Sequence, residues 1–461
     1  MFPNKIYSER RNNLRKGIAS GMILIPGNKE VPYNYSANTY HFRQDSTFSY
    51  FFGLNEPNLT GIIDIEEGTD YLFGDNIDIE DIIWMGNLPS LGERGELAGV
   101  NKVFPSKELG NYIKKVKSTG RKIHFLSPYR AETVLQLVNL LEITPAELLS
   151  TASPELAKEI IKLRLAKDSL EIAEIEKMIE VAYEMHTHVM KSAKPGVSEK
   201  QIAGAIEGIA LSYANGVSFP IILSMDGQTL HNHSHKNILQ KGRLLITDAG
   251  AESGLLYASD ITRSIPVGGK FSSRQKDVYN IVLAANLEAM RLTSPKITYR
   301  EVHLSCAKVI ASGLKNIGLM KGNIDNAVEA GAHALFFPHG LGHAMGMDVH
   351  DLEGLGETFV GYNESITRSD QFGLAYLRFA QKPKPGYVLT DEPGIYFIPE
   401  LIDLWRSEKK FTEFINYDHV EQYKDFGGIR IEDDILVTEN GCRLLGKPIP
   451  KTTEEIENMM K

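Results

Sequence analysis

Five side chains in the second half of the chain have the chemistry of metal ligands, each inside a short segment that suits the role. Asp248 lies in LLITDAGAE, Asp260 in LYASDITRS, His343 in HGLGHAMGMDVHD, Glu392 in LTDEPGIYF and Glu432 in GIRIEDDILV. Four carboxylates and one imidazole make a hard, oxygen-rich set without thiolate, which suits two divalent cations such as Mn²⁺, Co²⁺ or Zn²⁺. Two such ions a few ångströms apart can share a hydroxide and clamp a polarised carbonyl, which is hydrolase chemistry.

Local context supports these assignments. Asp248 and Asp260 are twelve residues apart, on two strand-like segments with Glu252-Ser253-Gly254 at the bend. A hairpin would set the two carboxylates side by side. Bare carboxylates so placed repel, and one pKa must rise unless a cation intervenes. His339, His343 and His350 fall within twelve residues, among Gly340, Gly342 and Gly346. Those glycines permit close backbone approach and unusual dihedrals. The spacing alone leaves open which of the three histidines binds metal and which meets substrate. Glu432, Asp433 and Asp434 form an acidic run, but Ile429, Ile431, Ile435, Leu436 and Val437 flank it, which argues against full exposure.

The elements that must position these groups are legible in outline. Up to about residue 160, strands and helices alternate: MILIP (22–26) reads as a buried strand, the aromatic TFSYFFGL (47–54) as β-prone, and TGIIDIEEGTDYLFGD as a hairpin turning near Glu67-Gly68. Segments 106–118 and 130–142 read as helices, with KIHFLSP as a short strand between them. Asp168 and Glu171 form a capping-box pattern ahead of a helix carrying Ile172, Ile175, Ile179, Ala182 and Val189, which Pro195-Gly196 stops. His186 and His188 near its end read as packing or surface histidines. SRQKDVYNIVLAANLEAMRL and YREVHLSCAKVIASGLKNIGL are two further helices. The expected class is α/β (α+β), with an N-terminal α/β domain over 1–160 and a catalytic domain over 161–461.

With 461 residues, two domains are the default. A composition of 42% hydrophobic and 24% charged residues excludes wholesale disorder. The net charge of −9 and the lack of a long basic run disfavour nucleic acid as a partner. Cys306 and Cys442 do not make a disulfide framework. No apolar run approaches the roughly eighteen residues of a membrane span, and the first segment lacks the apolar stretch of a secretory signal. The expectation is a soluble cytoplasmic enzyme.

At the five ligand segments the chain resembles the pita-bread dinuclear metallopeptidases, and within them the Xaa-Pro aminopeptidases (aminopeptidase P). The similarity runs from about residue 40 to the C-terminus and keeps all five segments in order; FRQDSTFSYFFGLNEPN is similar to the signature of the aminopeptidase P N-terminal domain. The resemblance implies that Asp248 chelates one metal, that Asp260 and Glu432 bridge two, and that His343 and Glu392 bind the second. It implies Glu392 as the acid/base, His231 and His350 at the substrate and its tetrahedral intermediate, His339 lining the pocket, and Arg430 buttressing the metal carboxylates. It further implies two divalent ions, Mn²⁺ first, and peptide substrates with proline in the second position. It also implies a homodimer or homotetramer. Trp84 stands where the family brings an aromatic toward a neighbouring subunit's site, although a packing role is the plainer expectation.

The chain departs from the compact bacterial enzymes in two long segments, Asp351–Glu392 and Glu392–Glu432, and in an extra acid, Asp391, before Glu392. The departures bear on substrate range and metal preference rather than on the reaction. Two other readings remain: a prolidase cutting only Xaa-Pro dipeptides, which would use the same ligands, and a non-catalytic binding protein on the same fold, against which the complete ligand set argues.

Overall fold

The computed structural model describes residues 1–461 and divides into two compact units. One comprises Met1–Arg164 with Gly354–Gly356, the other Leu165–Glu353 with Glu357–Lys461.

The first unit is built on a five-stranded mixed sheet, in the order Lys102–Pro105, Thr69–Gly74, Thr60–Asp64, Met22–Pro26, Ile123–His124. Met22, Leu24, Ile62, Tyr71 and Phe73 pack on Leu109, Ile113 and Val116 of one helix and on Leu137 and Leu141 of another. The alternate residues Ile23, Ile25, Ile63 and Leu72 are buried too, so both faces of the sheet are covered. The 22–26 strand, the hairpin with Gly68 left-handed at its turn, and both helices stand where the sequence places them. The aromatic segment does not. Ser46–Phe52 is a helix: Asp45 caps it by accepting from Phe48 N–H, Gly53 closes it at φ 71°, and every residue of it is buried. Local caps and burial on all sides outweigh the strand preference of its aromatics.

The second unit holds all the candidate ligands. Its four long helices each begin with a reciprocal capping box: Asp168 with Glu171, Ser198 with Gln201, Ser272 with Gln275, Thr298 with Glu301. They pack as two pairs, Ser169–Ser192 with Glu199–Tyr213 and Ser273–Leu292 with Tyr299–Asn316. Antiparallel strands follow each pair. The first set orders as Thr262–Pro266, Leu244–Asp248, Ile222–Ser224; the second as Val388–Asp391, Asp433–Val437, Cys442–Leu444, with Gly394–Tyr396 beside Gly428–Arg430. The same succession, helix pair then strands, therefore occurs twice, although no repeat is visible in the sequence. A single bridge joins Thr262 of the first set to Glu432 just ahead of Asp433–Val437, and another joins Ala344 of the histidine-rich loop to Leu389.

The two long segments around Glu392 fold against each other. Tyr362, Leu374, Leu377 and Ala380 form a small core of their own, and Phe372 meets Trp405 edge-on at 5.7 Å. Cys306 and Cys442 are both free. Trp84 is 78% exposed, which removes the packing role expected for it. No helix is long and apolar enough to cross a membrane.

Candidate active site

Every residue singled out as ligand or catalytic group lines one cavity of about 740 Å³ in the second unit. Asp248, Asp260, His343, Glu432 and Arg430 form its buried floor; Glu392, His339 and His350 are partly accessible, and His231 is exposed.

The strand register sets the floor. Asp248 ends its strand opposite Thr262, so Asp260 lies two residues ahead of the paired stretch rather than directly across from Asp248. The turn between them is closed by the Glu252–Ala258 bridge. Asp260 N–H donates to Asp434 Oδ2 at 3.0 Å, and Thr262 Oγ1 donates to Glu432 Oε2 at 2.6 Å. The acidic run thus divides its work. Glu432 faces the cavity, Asp433 pairs with Arg263 at 2.7 Å and Lys451 at 2.7 Å, and Asp434 fixes the backbone of Asp260. The run is buried, as its apolar flanks imply.

The histidine-rich loop packs against the strand Val388–Asp391. A Cβ on Gly342 would lie 2.0 Å from the Thr390 carbonyl, and one on Gly346 2.4 Å from Asp351. Close approach is therefore why glycine stands at both. None of Gly340, Gly342 and Gly346 is left-handed, so the expectation of unusual dihedrals does not hold. His343 is oriented twice, its N–H donating to Thr390 Oγ1 at 3.0 Å and its Nδ1 meeting the Ala344 carbonyl at 3.1 Å. A carbonyl only accepts, so Nδ1 carries a proton and Nε2 is the ring nitrogen left to face the cavity. That nitrogen lies 3.4 Å from Asp260 Oδ2 and 3.8 Å from Glu392 Oε1.

Asp260, His343 and Glu432 converge, with donor atoms all within 4.8 Å of one another. Asp248 and Glu392 flank this trio. Asp248 Oδ2 accepts from Arg430 Nη2 at 2.6 Å, while its Oδ1 is buried without a partner. Burial, reinforced by the neighbouring carboxylates, holds Asp260 and Glu432 well above the usual carboxylate range, and burial raises Glu392 as well. An imidazole nitrogen facing carboxylates, an orphaned buried oxygen and clustered buried acids fit a divalent cation site, because a cation can engage all three.

Arg430 organises the near wall. Besides Asp248 it donates from Nε to Thr262 Oγ1 at 3.0 Å and from Nη1 to the Tyr396 hydroxyl at 2.8 Å. His339 Nε2 meets the same hydroxyl at 2.9 Å. Tyr396, Thr262 and Thr390 are parts of the site that the sequence reading missed. Tyr396 alone had a readable signal, two residues past Pro393-Gly394 in a strand. His186, read as packing, is buried and bonds the Ala249 carbonyl at 3.0 Å, next to Asp248. Asp391 does not line the cavity; its Oδ2 accepts from Asn286 at 3.1 Å. The long segment after Asp351 does reach in, through Arg368, Phe372, Tyr376 and Arg378.

Residues 173–439 match the model of metallopeptidase family M24, and residues 7–124 match the aminopeptidase P N-terminal domain. The chain belongs to metallopeptidase family M24. Among relatives of this M24 chain, a human Xaa-Pro dipeptidase is 31% identical over 96% of the chain and 89% of its own length. A probable Xaa-Pro aminopeptidase of Aspergillus fumigatus is 32% identical over 99% and 97%. An Escherichia coli aminopeptidase P variant solved in complex with substrate superposes with a TM-score of 0.82 at 29% identity, covering 100% of this chain and 98% of the other. The chain is an aminopeptidase P-type M24 metallopeptidase, with that family's N-terminal domain ahead of a pita-bread domain.

Proposed function

We propose that this enzyme is an exopeptidase that removes the N-terminal residue from peptides with proline second, with Asp248, Asp260, His343, Glu392 and Glu432 holding two divalent cations, Mn²⁺ first. The observation that carries the reading is the buried convergence of Asp260, His343 and Glu432 at the floor of a cavity whose walls offer imidazoles. Bound cations would polarise the scissile carbonyl and lower the pKa of an attacking water. The chain's own groups do the rest. Glu392, lifted by burial yet still partly accessible, moves a proton toward the leaving nitrogen. His231 and His350 contact the substrate and its tetrahedral intermediate, His339 lines the pocket, and Arg430 keeps Asp248 and Tyr396 in place. The domains are taken as 1–160 and 161–461, in a cytoplasmic homodimer or homotetramer, which light scattering on purified protein tests.

Cleavage of a matched pair tests the substrate: an Xaa-Pro dipeptide and the same sequence extended by one residue. Release of the first residue from the tripeptide is expected. Cleavage of the dipeptide alone would make the enzyme a prolidase. That second reading would use the same ligands, and the human relative carries that name.

A further inference from the structure

His350 is held from two directions. Its ring stacks on that of His343, centroids 3.9 Å apart and planes 24° from parallel. Its Nδ1 lies 3.1 Å from Glu353 Oε2, and the same oxygen accepts from Arg378 Nη1 at 2.7 Å. Rotating the imidazole would break either the stack or the hydrogen bond. Arg378 comes from the long segment after Asp351, which carries the small core of Tyr362, Leu374, Leu377 and Ala380. The backbone there is tight: a Cβ on Gly361 would fall 1.8 Å from the Arg378 carbonyl. Arg378 is thus set by packing, Glu353 by Arg378, and His350 by Glu353.

We propose that Glu353 is a positioning residue for His350, and that the long segment serves the site by holding Glu353 in place. The inference rests on the role given to His350 above and deepens it. An ionised carboxylate only accepts, so Glu353 fixes the proton on Nδ1 and leaves Nε2 of this cavity-lining imidazole for the ligand. A carboxylate behind a histidine fixes its ring orientation and tautomer; for metal-ligating histidines loss of such a partner costs about 10–100-fold, and the same order is expected for His350.

The test compares wild type with Glu353→Leu and Glu353→Gln. Glutamine keeps an oxygen that can accept from Nδ1; leucine does not. Two readouts are taken: steady-state cleavage of an Xaa-Pro tripeptide, and ¹⁵N chemical shifts of histidine in Zn²⁺-loaded, ¹⁵N-histidine-labelled protein. Glu353→Leu is expected to lower kcat about 10–100-fold with KM little changed and both metals retained. The His350 Nδ1 resonance should move from a protonated toward an averaged position. Glu353→Gln is expected to recover most of the rate and the protonated Nδ1. A leucine variant with unchanged kcat or an unchanged Nδ1 signal, or a glutamine variant as slow as the leucine one, would overturn the assignment. Failure of the parent reading looks different, because wild type would then not cleave the peptide, while the nitrogen spectrum still reports on Glu353.

Discussion

His343 Nε2 stands 3.4 Å from Asp260 Oδ2, facing that carboxylate because Nδ1 is committed to the Ala344 carbonyl. A divalent cation bound between them would take both atoms as ligands. Asp260 and Glu432 are both in the converging trio, so each touches whatever ions bind there. Asp260→Ala or Glu432→Ala should therefore abolish turnover and lose most bound metal, measured by elemental analysis after gel filtration. Near-normal turnover in either variant would refute the bridging roles.

His350 differs from His343 in kind. It is tied to Glu353 and stacked on a ligand, yet it is no member of the converging trio. His350→Ala should lose rate by about 10²–10⁴-fold, the range for a side chain acting on protons or charge in the transition state. It should keep two equivalents of metal. Loss of metal in this variant would make His350 a ligand.

How much of this was legible before the structure depends on where the information lies. The five ligand segments each carry a carboxylate or imidazole inside an apolar strand or a glycine-rich loop, a local contradiction that marks function. The helices at Ser169–Ser192 and Ser273–Leu292 announce themselves by apolar periodicity, the first also by its Asp168–Glu171 capping box. The helix at Ser46–Phe52 did not, because aromatic residues read as strand-forming and only burial on every side reveals otherwise. Tyr396, Thr262 and Glu353 stayed hidden for another reason. Their importance lies in partners far along the chain, such as Arg430 and Arg378, which local patterning does not reveal. Alternation on the strand Asp433–Val437 turns Asp433 and Asp434 to opposite faces, but the task of each, and of Glu432 before them, needed its partner in space.

Stability without metal should depend on pH in a definite direction. Burial and neighbouring acids raise Asp260 and Glu432 in the folded state. A raised carboxylate favours folding while protonated, so that contribution is present below the ordinary carboxylate range and is lost as pH rises through the folded value. Bound cations remove the penalty of ionisation. The gap in Tm between metal-loaded and chelated protein should thus widen from pH 5 to pH 8, as scanning fluorimetry would show. A gap independent of pH would mean that these carboxylates are not the metal's partners.

Acid should weaken the fold through a second pair, remote from the ligands in role. His303 and His333 are buried with ring centroids 6.4 Å apart, and none of their four ring nitrogens has a hydrogen-bond partner. Burial pushes His333 down to about 4, and burial together with the charges of His333 and His339 holds His303 down at about 3. A lowered histidine favours folding while neutral. Its contribution is whole above the unfolded value near 6.5 and is lost as pH falls toward the folded value. A histidine held at about 4 loses on the order of 3 kcal/mol across that window. His303→Leu removes one such group and forfeits no hydrogen bond, so at pH 7.5 its Tm should lie close to that of wild type. At pH 5 the variant should be the more stable of the two, and comparing the pair at each pH cancels the effect of metal loss in acid. Parallel Tm curves from pH 7.5 to pH 5 would show that His303 takes up no extra proton on unfolding.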